Sequence, residues 1–179
     1  GSGPQILRED VWNVDIVSYP GVKIIALAES LPFLDHSVDA LICDNLLEHV
    51  KNPATVLKEI ERVLKKDGLV YVGTPFMIGF HSSPNDYYRW THEGLRELLS
   101  SAFIEQELNL QYGPTAATMY MMCNWLALLL SFNVQILYEF WLIIFMILLA
   151  PVKLLDLVVG KFSFAKGIAL GFYYIGRKK

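Results

Sequence analysis

Between Thr74 and Thr91 the chain concentrates the side chains best suited to chemistry: His81, Asp86 and Arg89, in a string rich in Gly, His, Ser, Pro and Asn. An imidazole changes charge near neutrality, so His81 is the first candidate for a group that takes a proton from an acceptor hydroxyl. Asp86 suits orienting that imidazole or taking the proton itself, and Arg89 suits an anionic group such as a phosphate or carboxylate. Asp86 and Arg89 equally suit a local ion pair that pins the loop, with Tyr87 and Trp90 packed into a core. Earlier, His49 follows Glu48 in the run Leu47-Glu48-His49-Val50, where a helix-start residue lining a pocket is its simplest role. His36 and His92 read as loop and helix-start residues with no chemistry assigned. Cys43 and Cys123 have no CxxC partner and no metal-like spacing, and no metal is called for.

These residues need elements to hold them. Apolar runs bounded by turn signals at residues 12–16, 22–27, 38–43 and 69–73 read as buried strands. Near-continuous apolar strands separated by helices predict a parallel sheet covered on both faces. The clearest helix is 53–66, with Asn52 as N-cap and Pro53 at its first position. Val56, Leu57, Ile60, Val63 and Leu64 recur on one face, Lys65 and Lys66 complement the C-terminal dipole, and Gly68 follows as the stop. A second helix, 92–101, takes Thr91 as its cap and buries Leu95, Leu98 and Leu99. Residues 77–88 form a long loop, a feature that is usually functional in compact domains. Residues 103–110 and 168–175 predict two more strands. Polar groups gather at strand ends from Leu31 to Gly68, and in an open parallel sheet that is where ligands bind.

A chain of 179 residues suffices for one domain with a real core and hardly for two. Residues 1–107 carry 9 Lys/Arg against 16 Asp/Glu, whereas 108–179 carry 6 against 2. That split is a poor profile for nucleic-acid binding and a reasonable one for an anionic membrane surface. Residues 108–138 contain no charge, nor do 140–152. Helices apolar all round do not fit inside so small a domain. The arms 119–132 and 136–152 reach about 21 and 25 Å as helices, against a hydrocarbon core of about 30 Å. A strand returning at 168–175 excludes a single crossing. The expectation is therefore a re-entrant hairpin or interfacial helices, with Lys153, Lys161 and Lys166 snorkelling to headgroups. Trp125, Tyr138, Phe140 and Trp141 read as interfacial or packing groups. A cap packed on the domain, or a homodimer interface, is the soluble alternative. No signal peptide opens the chain, and Gly1 reads as a junction or a truncation point.

Gly1-Ser2-Gly3-Pro4 precedes a strand ending in Asp15. A glycine turn lets backbone amides approach a ligand, and an acid at the next strand end can accept from ribose hydroxyls. Ile6 stands where a dinucleotide fingerprint wants its third glycine. Asp15 also follows Gly3 too soon for that fingerprint, which disfavours a nicotinamide cofactor.

Taken in order, Asn13-Val14-Asp15-Ile16, Ala28-Glu29-Ser30-Leu31-Pro32-Phe33, Val38-Asp39-Ala40-Leu41, Leu47-Glu48-His49-Val50 and Glu59-Ile60-Glu61-Arg62-Val63-Leu64 resemble the class I S-adenosylmethionine-dependent methyltransferases. The type 11 group of small-molecule and lipid methyltransferases is the nearest in pattern. The resemblance covers residues 1–110 and returns at the final strand. It implies an α/β, Rossmann-like fold: a mostly parallel sheet with an antiparallel last strand, here with an apolar helical insertion before that strand. It also implies S-adenosylmethionine as cofactor. Gly1 and Gly3 would meet the methionine part, Asp15 the ribose, and Ala28 and Glu29 the adenine. Asp44, Asn45 and Leu46 would face the cofactor, with His49 close by. The chain departs from the pattern in lacking the strand before Gly1 and in placing Leu27 where many members have an Asp. The expected organisation is a core over 1–114 without its first strand, an apolar membrane-associated insertion over 115–162, and the returning strand over 163–179.

The function expected is methyl transfer to an oxygen or carbon of an amphipathic acceptor: a quinone-like ring, a polyprenyl-linked intermediate or a sugar-lipid. The enzyme would work at the cytoplasmic face of a membrane, or in the cytoplasm if the insertion packs instead. A catalytically inactive, membrane-bound interaction module of the same fold is the alternative.

Overall fold

The structure, a computed structural model, describes residues 1–4, 8–82 and 84–179; Ile6, read above against a dinucleotide fingerprint, lies outside them. Two short parallel strands, β1 (Asn13–Asp15) and β2 (Val22–Ile25), make one sheet. Strands β3 (Val38–Asp44), β4 (Leu64–Pro75), β5 (Phe103–Tyr112) and β6 (Gly171–Lys178) make a second, in the order β3-β4-β6-β5. β3 and β4 are parallel, with Ala40 opposite Leu69 and Asp44 opposite Gly73. β6 runs against both neighbours. On the β5 side the Leu170 amide bonds to Tyr112 O and the Lys179 amide to Ala102 O; on the β4 side the Phe76 amide bonds to Leu170 O and Arg177 reaches Asp67 O. This is the Rossmann-like arrangement with an antiparallel last strand, preceded by an apolar helical segment. The ladder is interrupted between β1 and β3, which belong to separate sheets.

Helix α1 (Pro53–Val63) buries Val56, Leu57, Ile60 and Val63, as its periodicity predicts. It ends at Val63 rather than at Lys66. Leu64 already has extended backbone, is fully buried and pairs with Val38, so burial in the sheet overrides helical preference there. Lys65 and Lys66 accordingly sit in a β-bulge, where Lys65 Nζ lies 2.6 Å from Asp39 Oδ1. Gly68 is not a helix stop. A Cβ on it would stand 2.8 Å from Lys65 O and 3.2 Å from Asp39 O, so the bulge closes too tightly for a side chain. Asn52 occupies the N-cap position, but its side chain makes no capping bond.

Arg62 explains why Leu31-Pro32-Phe33 and the end of α1 belong together. Its guanidinium donates to both Glu59 oxygens (2.8 and 2.7 Å), to Phe33 O (2.9 Å), to Leu31 O (3.0 Å) and to Asp35. Glu59 Oε1 in turn accepts from the Leu31 amide at 2.7 Å. One charged fork thus fixes the loop that leads into β3.

Helix α2 (His92–Ser100) starts as expected, with Thr91 Oγ1 accepting from the Gly94 amide at 3.0 Å and with Leu95 and Leu99 buried. The expected cover on both faces of the sheet is incomplete. Ile25 and Ile42 stay 63% and 54% exposed.

The chain divides into two compact units. The first comprises Gly1–Thr74, His81–Asn109 and Tyr173–Lys179; the second comprises Pro75–Phe80 and Leu110–Phe172. The second is built on a helical hairpin of α3 (Pro114–Leu130) and α4 (Gln135–Leu149). Small residues of α3, namely Ala116, Ala117, Cys123 and Ala127, are buried, and Tyr138 of α4 donates its hydroxyl to Asn124 Oδ1 at 2.5 Å. The turn between the helices passes through Phe132 and Asn133 in left-handed conformation.

α4 runs on through a 3-10 segment (Ala150–Leu155) into α5 (Asp156–Val159). The helical run Gln135–Val159 has 25 residues, and its most apolar 18-residue window has a mean hydropathy of 2.6 with none of it buried. By length and composition it can cross a membrane, whereas the sequence reading stopped that arm at residue 152. Asp156 supplies the cap that Gly113 cannot, its carboxylate accepting from the Thr115 (2.7 Å) and Ala116 (3.0 Å) amides at the start of α3. A Cβ on Gly113 would fall 2.4 Å from Asp156 Cγ, so the cap requires glycine there. Residues Ser163–Ile168 form 3-10 turns, and β6 begins at Gly171 rather than at residue 168.

Candidate cofactor cleft and histidine cluster

Within the first unit, β1 and β3 border a cleft of about 960 Å³. Gly1, Gly3, Ala28, Asp44, Asn45 and Leu46 line it, as the resemblance implies for cofactor contacts. Asp15, Glu29 and His49 do not. Gly3 has a left-handed backbone (φ 57°) that turns the chain at the mouth of β1. Gly1 is packed so closely that a Cβ would meet Leu46 Cδ1 at 2.9 Å. At the end of β3, Asn45 adopts a left-handed conformation (φ 45°) while its amide bonds to Gly73 O at 3.0 Å. That sharp exit presents Asn45 and Leu46 to the cleft.

Asp15 closes the glycine turn from below. Its Oδ2 accepts from the Gly3 amide at 2.8 Å and its Oδ1 from the Val17 amide at 2.9 Å, at 6% exposure. Burial pushes the carboxyl upward, but the Val17 and Gly3 amides outweigh it and hold Asp15 below its ordinary range. A carboxylate has about four lone-pair sites, so both oxygens keep accepting capacity. Cys43, which also lines the cleft, is pushed up to about 12 by burial and is inert at neutral pH.

A second constellation begins two residues beyond Leu46. The 3-10 turn Leu47–His49 directs the Glu48 side chain into the protein, where it has no exposure at all. Neither of its oxygens has a hydrogen-bond partner in another described residue. His49 Nε2 stands 3.8 Å and His81 Nε2 3.9 Å from Glu48 Oε1, and the two imidazoles meet edge to face with centroids 5.2 Å apart. Burial pushes the Glu48 carboxyl up to about 7, against the opposing pull of the His81 and Arg89 charges.

Residues 84–88 are tied to this turn. The Tyr87 amide donates to Glu48 O at 2.7 Å, His49 Nδ1 lies 2.6 Å from Asn85 O, and the Tyr88 hydroxyl donates to Lys51 O at 2.8 Å. Asp86 and Arg89 form the local ion pair. The Asp86 side chain is 2% exposed, and the Arg89 guanidinium beside it holds its carboxyl far below the usual range. Asp86 also accepts from the His81 amide at 2.9 Å, while Arg89 Nη2 lies 3.3 Å from His81 Nδ1. His81, Asp86 and Arg89 are therefore together, with Arg89 engaged by Asp86. Glu48 is the residue that sequence reasoning passed over as part of a motif. Its signal was a carboxylate set between Leu46, Leu47 and Val50 at a strand end, next to a histidine.

A sheet with its last strand reversed, and a cleft at the strand ends behind a glycine turn, define the class I methyltransferase fold. Among solved structures, Burkholderia thailandensis 1,6-didemethyltoxoflavin-N1-methyltransferase aligns with 93% of this chain and 60% of its own, at TM-score 0.53 and 15% identity. The [4+2]-cyclase SpnF aligns with 88% of this chain and 56% of its own, at TM-score 0.52 and 20% identity. These likenesses concern the fold.

A family model described as a methyltransferase domain matches residues 7–72, and over that segment the chain is similar to this family. The ubiquinone biosynthesis O-methyltransferase of Neisseria meningitidis serogroup A / serotype 4A is 34% identical over 62 residues. That match covers 35% of this chain and a quarter (25%) of the relative's length.

Proposed function

We propose that the chain binds S-adenosylmethionine in the β1–β3 cleft and transfers its methyl group to an oxygen or carbon of an amphipathic acceptor. One observation carries this reading: the segment that matches the family is the segment that builds the cleft, from Asn13 and Val14 to Asp44–Leu46. The residues present fit the cofactor. The Gly1–Gly3 turn gives a wall without side-chain bulk to an amino-acid end, Asp15 holds that turn through the Gly3 amide and keeps lone pairs for hydroxyls, and Ala28 and Leu46 offer apolar surface to a base. When bound, the sulfonium supplies an electrophilic methyl group and leaves as a neutral thioether.

The chain's own work is positional. Glu48 and His81 lie on the acceptor side, where a proton must be taken up or an oxygen held in line. The Asp86–Arg89 pair fixes His81, and the bonds from Tyr87, Asn85 and Tyr88 fix the loop on Leu47–His49. The acceptor's class is argued from the second unit. Ile136, Ile143, Ile147 and Leu148 of α4, and Trp125 and Leu128 of α3, are 58–73% exposed. So large an apolar surface favours a lipid bilayer, and hence an acceptor that resides there. Quinone-like, polyprenyl-linked and sugar-lipid acceptors share that property.

A second reading has its own support. The interrupted ladder between β1 and β3, and the Asp15 oxygens already engaged by two amides, favour a methyltransferase-like interaction module without catalysis. Calorimetric titration of the full chain with S-adenosylmethionine separates the two. Saturable binding with one site supports the enzyme, and no heat at millimolar cofactor overturns it. Flotation with anionic liposomes tests the bilayer. Recovery with the vesicles is expected, whereas a soluble dimer would show that a second copy covers the apolar surface instead.

A further inference from the structure

We infer that Glu48, His49 and His81 form a site for one divalent transition-metal cation, held by a Glu48 carboxylate oxygen and the two imidazole Nε2 atoms. The three ligand atoms already lie within 4.8 Å of one another. A cation bound at about 2.1 Å to each would set them about 3.0–3.4 Å apart, so the site closes by small side-chain rotations from separations of 3.8 and 3.9 Å.

The clearest pointer to a missing ligand is Glu48 itself. It is wholly buried, neither oxygen has a hydrogen-bond partner in another described residue, and both histidines approach the same oxygen. A buried carboxylate without partners is costly, and a cation is the one occupant that satisfies it while also engaging two imidazoles.

The surroundings match what metal-bound histidines require. The other nitrogen of such a ring is normally held by a carbonyl or carboxylate, which fixes the tautomer. His49 Nδ1 lies 2.6 Å from Asn85 O, a contact that places the proton on Nδ1 and leaves the Nε2 lone pair toward Glu48. His81 Nδ1 lies 3.3 Å from the Arg89 guanidinium and 3.7 Å from Asp86 Oδ2, so a cation on Nε2 would require the ring proton to move to Nδ1 and turn from Arg89 to that carboxylate. Arg89 is neutralised by Asp86 and adds no uncompensated positive charge. Side-chain exposures of 14% for His49 and 34% for His81 leave an entry path.

Two imidazoles and a carboxylate suit Mn²⁺, Fe²⁺, Co²⁺ or Zn²⁺ better than Mg²⁺ or Ca²⁺. Three protein ligands also leave coordination positions open, where an acceptor oxygen could bind and lose its proton more readily. That use deepens the methyltransferase reading, but the site rests on its own geometry and stands without it.

The test uses the full chain, stripped of metal and titrated with Mn²⁺ under electron paramagnetic resonance, with Zn²⁺ as competitor. One Mn²⁺ per chain is expected, displaced by Zn²⁺, with affinity falling at least about tenfold in Glu48→Gln and in His49→Asn. His49 is less buried than Glu48, so its variant reports on the site even where Glu48→Gln does not fold, which circular dichroism would reveal. Zn²⁺ should raise the unfolding midpoint of the wild type and leave that of folded variants unmoved. No Mn²⁺ bound up to about 1 mM, or equal affinity in the wild type and a folded variant, overturns the site. Neither result bears on S-adenosylmethionine binding, which the calorimetry measures separately.

Discussion

The two units bury their side chains by opposite rules. In the first, apolar residues are inside and polar ones gather at strand ends: Ile60, Val63, Leu64 and Val72 have 0–2% exposure, while Asp15 and Glu48 sit where β1 and β3 end and Asp86 holds the His81 amide after β4. In the second, the small residues are inside and the large ones outside, with Ala127 buried and Ile147 and Leu148 each 65% exposed. The first pattern is what water imposes on a foldable chain. The second is the pattern expected of a unit in the proposed bilayer, where helices associate through small residues and satisfied polar groups rather than by hiding leucines. Tyr138 bonding to Asn124, and Asp156 capping α3, are such polar groups.

The sharpest way to break this contrast is to make one substitution in both units. Ile60→Ala removes a side chain with 2% exposure and should cost about 2–5 kcal/mol. Ile147→Ala removes one with 65% exposure and should change stability by less than about 0.5 kcal/mol. Urea unfolding in mild detergent would measure both. Comparable losses at the two sites would mean that Ile147 is packed against something in solution, a second copy above all, and the bilayer reading would lose its support.

The next effect concerns the polar ties. Arg62→Ala leaves Glu59 without its partner and frees the carbonyls of Leu31 and Phe33; charge-assisted bonds of this kind are each worth about 1.5–3 kcal/mol. Solvent screening at a one-third-exposed guanidinium keeps the expected loss below that of Ile60→Ala. Asp156→Ala uncaps α3 and should cost about 1 kcal/mol, seen as lost helical circular dichroism. Limited proteolysis should cut near residues 31–35 in the first variant and not in the second. Cleavage at the same place in both would show that the ties are not local to their units.

These ties also mark how far the sequence could be read. The order of strands and helices from Val38 to Gly73 was legible because periodicity and turn residues are local signals. The reversed final strand was legible through family resemblance and a return of apolar alternation. The bulge at Lys65–Gly68 was hidden, because two lysines after an amphipathic helix look like a helix end until Leu64 is seen pairing with Val38. The length of the Gln135–Val159 run was hidden by Pro151 and Lys153, which a 3-10 segment accommodates. At the site, Asp44, Asn45 and Leu46 could be placed through the family resemblance, which sets them at the end of this strand. Glu48 could not, since its burial depends on a loop more than thirty residues later folding back onto its turn, as the Tyr87–Glu48 bond shows.

The smallest effect is the most specific to the cleft. Asp15 has its folded-state pKa depressed, so it contributes stability above its unfolded value of about 3.9, and that contribution disappears as pH falls through the lower folded value. Asp15→Asn cannot accept with two oxygens, so it should be less stable than the wild type by about 1 kcal/mol at pH 7. The gap should narrow below pH about 4 and close near the folded pKa, because protonation then deprives the wild type of the same acceptor. Added S-adenosylmethionine should widen the gap at pH 7, since binding to the folded state stabilises the wild type in proportion to its affinity. A gap that is independent of pH would show that the Gly3 and Val17 amides do not depend on the Asp15 charge. The glycine turn would then be held by backbone geometry alone, like the left-handed turn at Phe132 and Asn133 in the second unit.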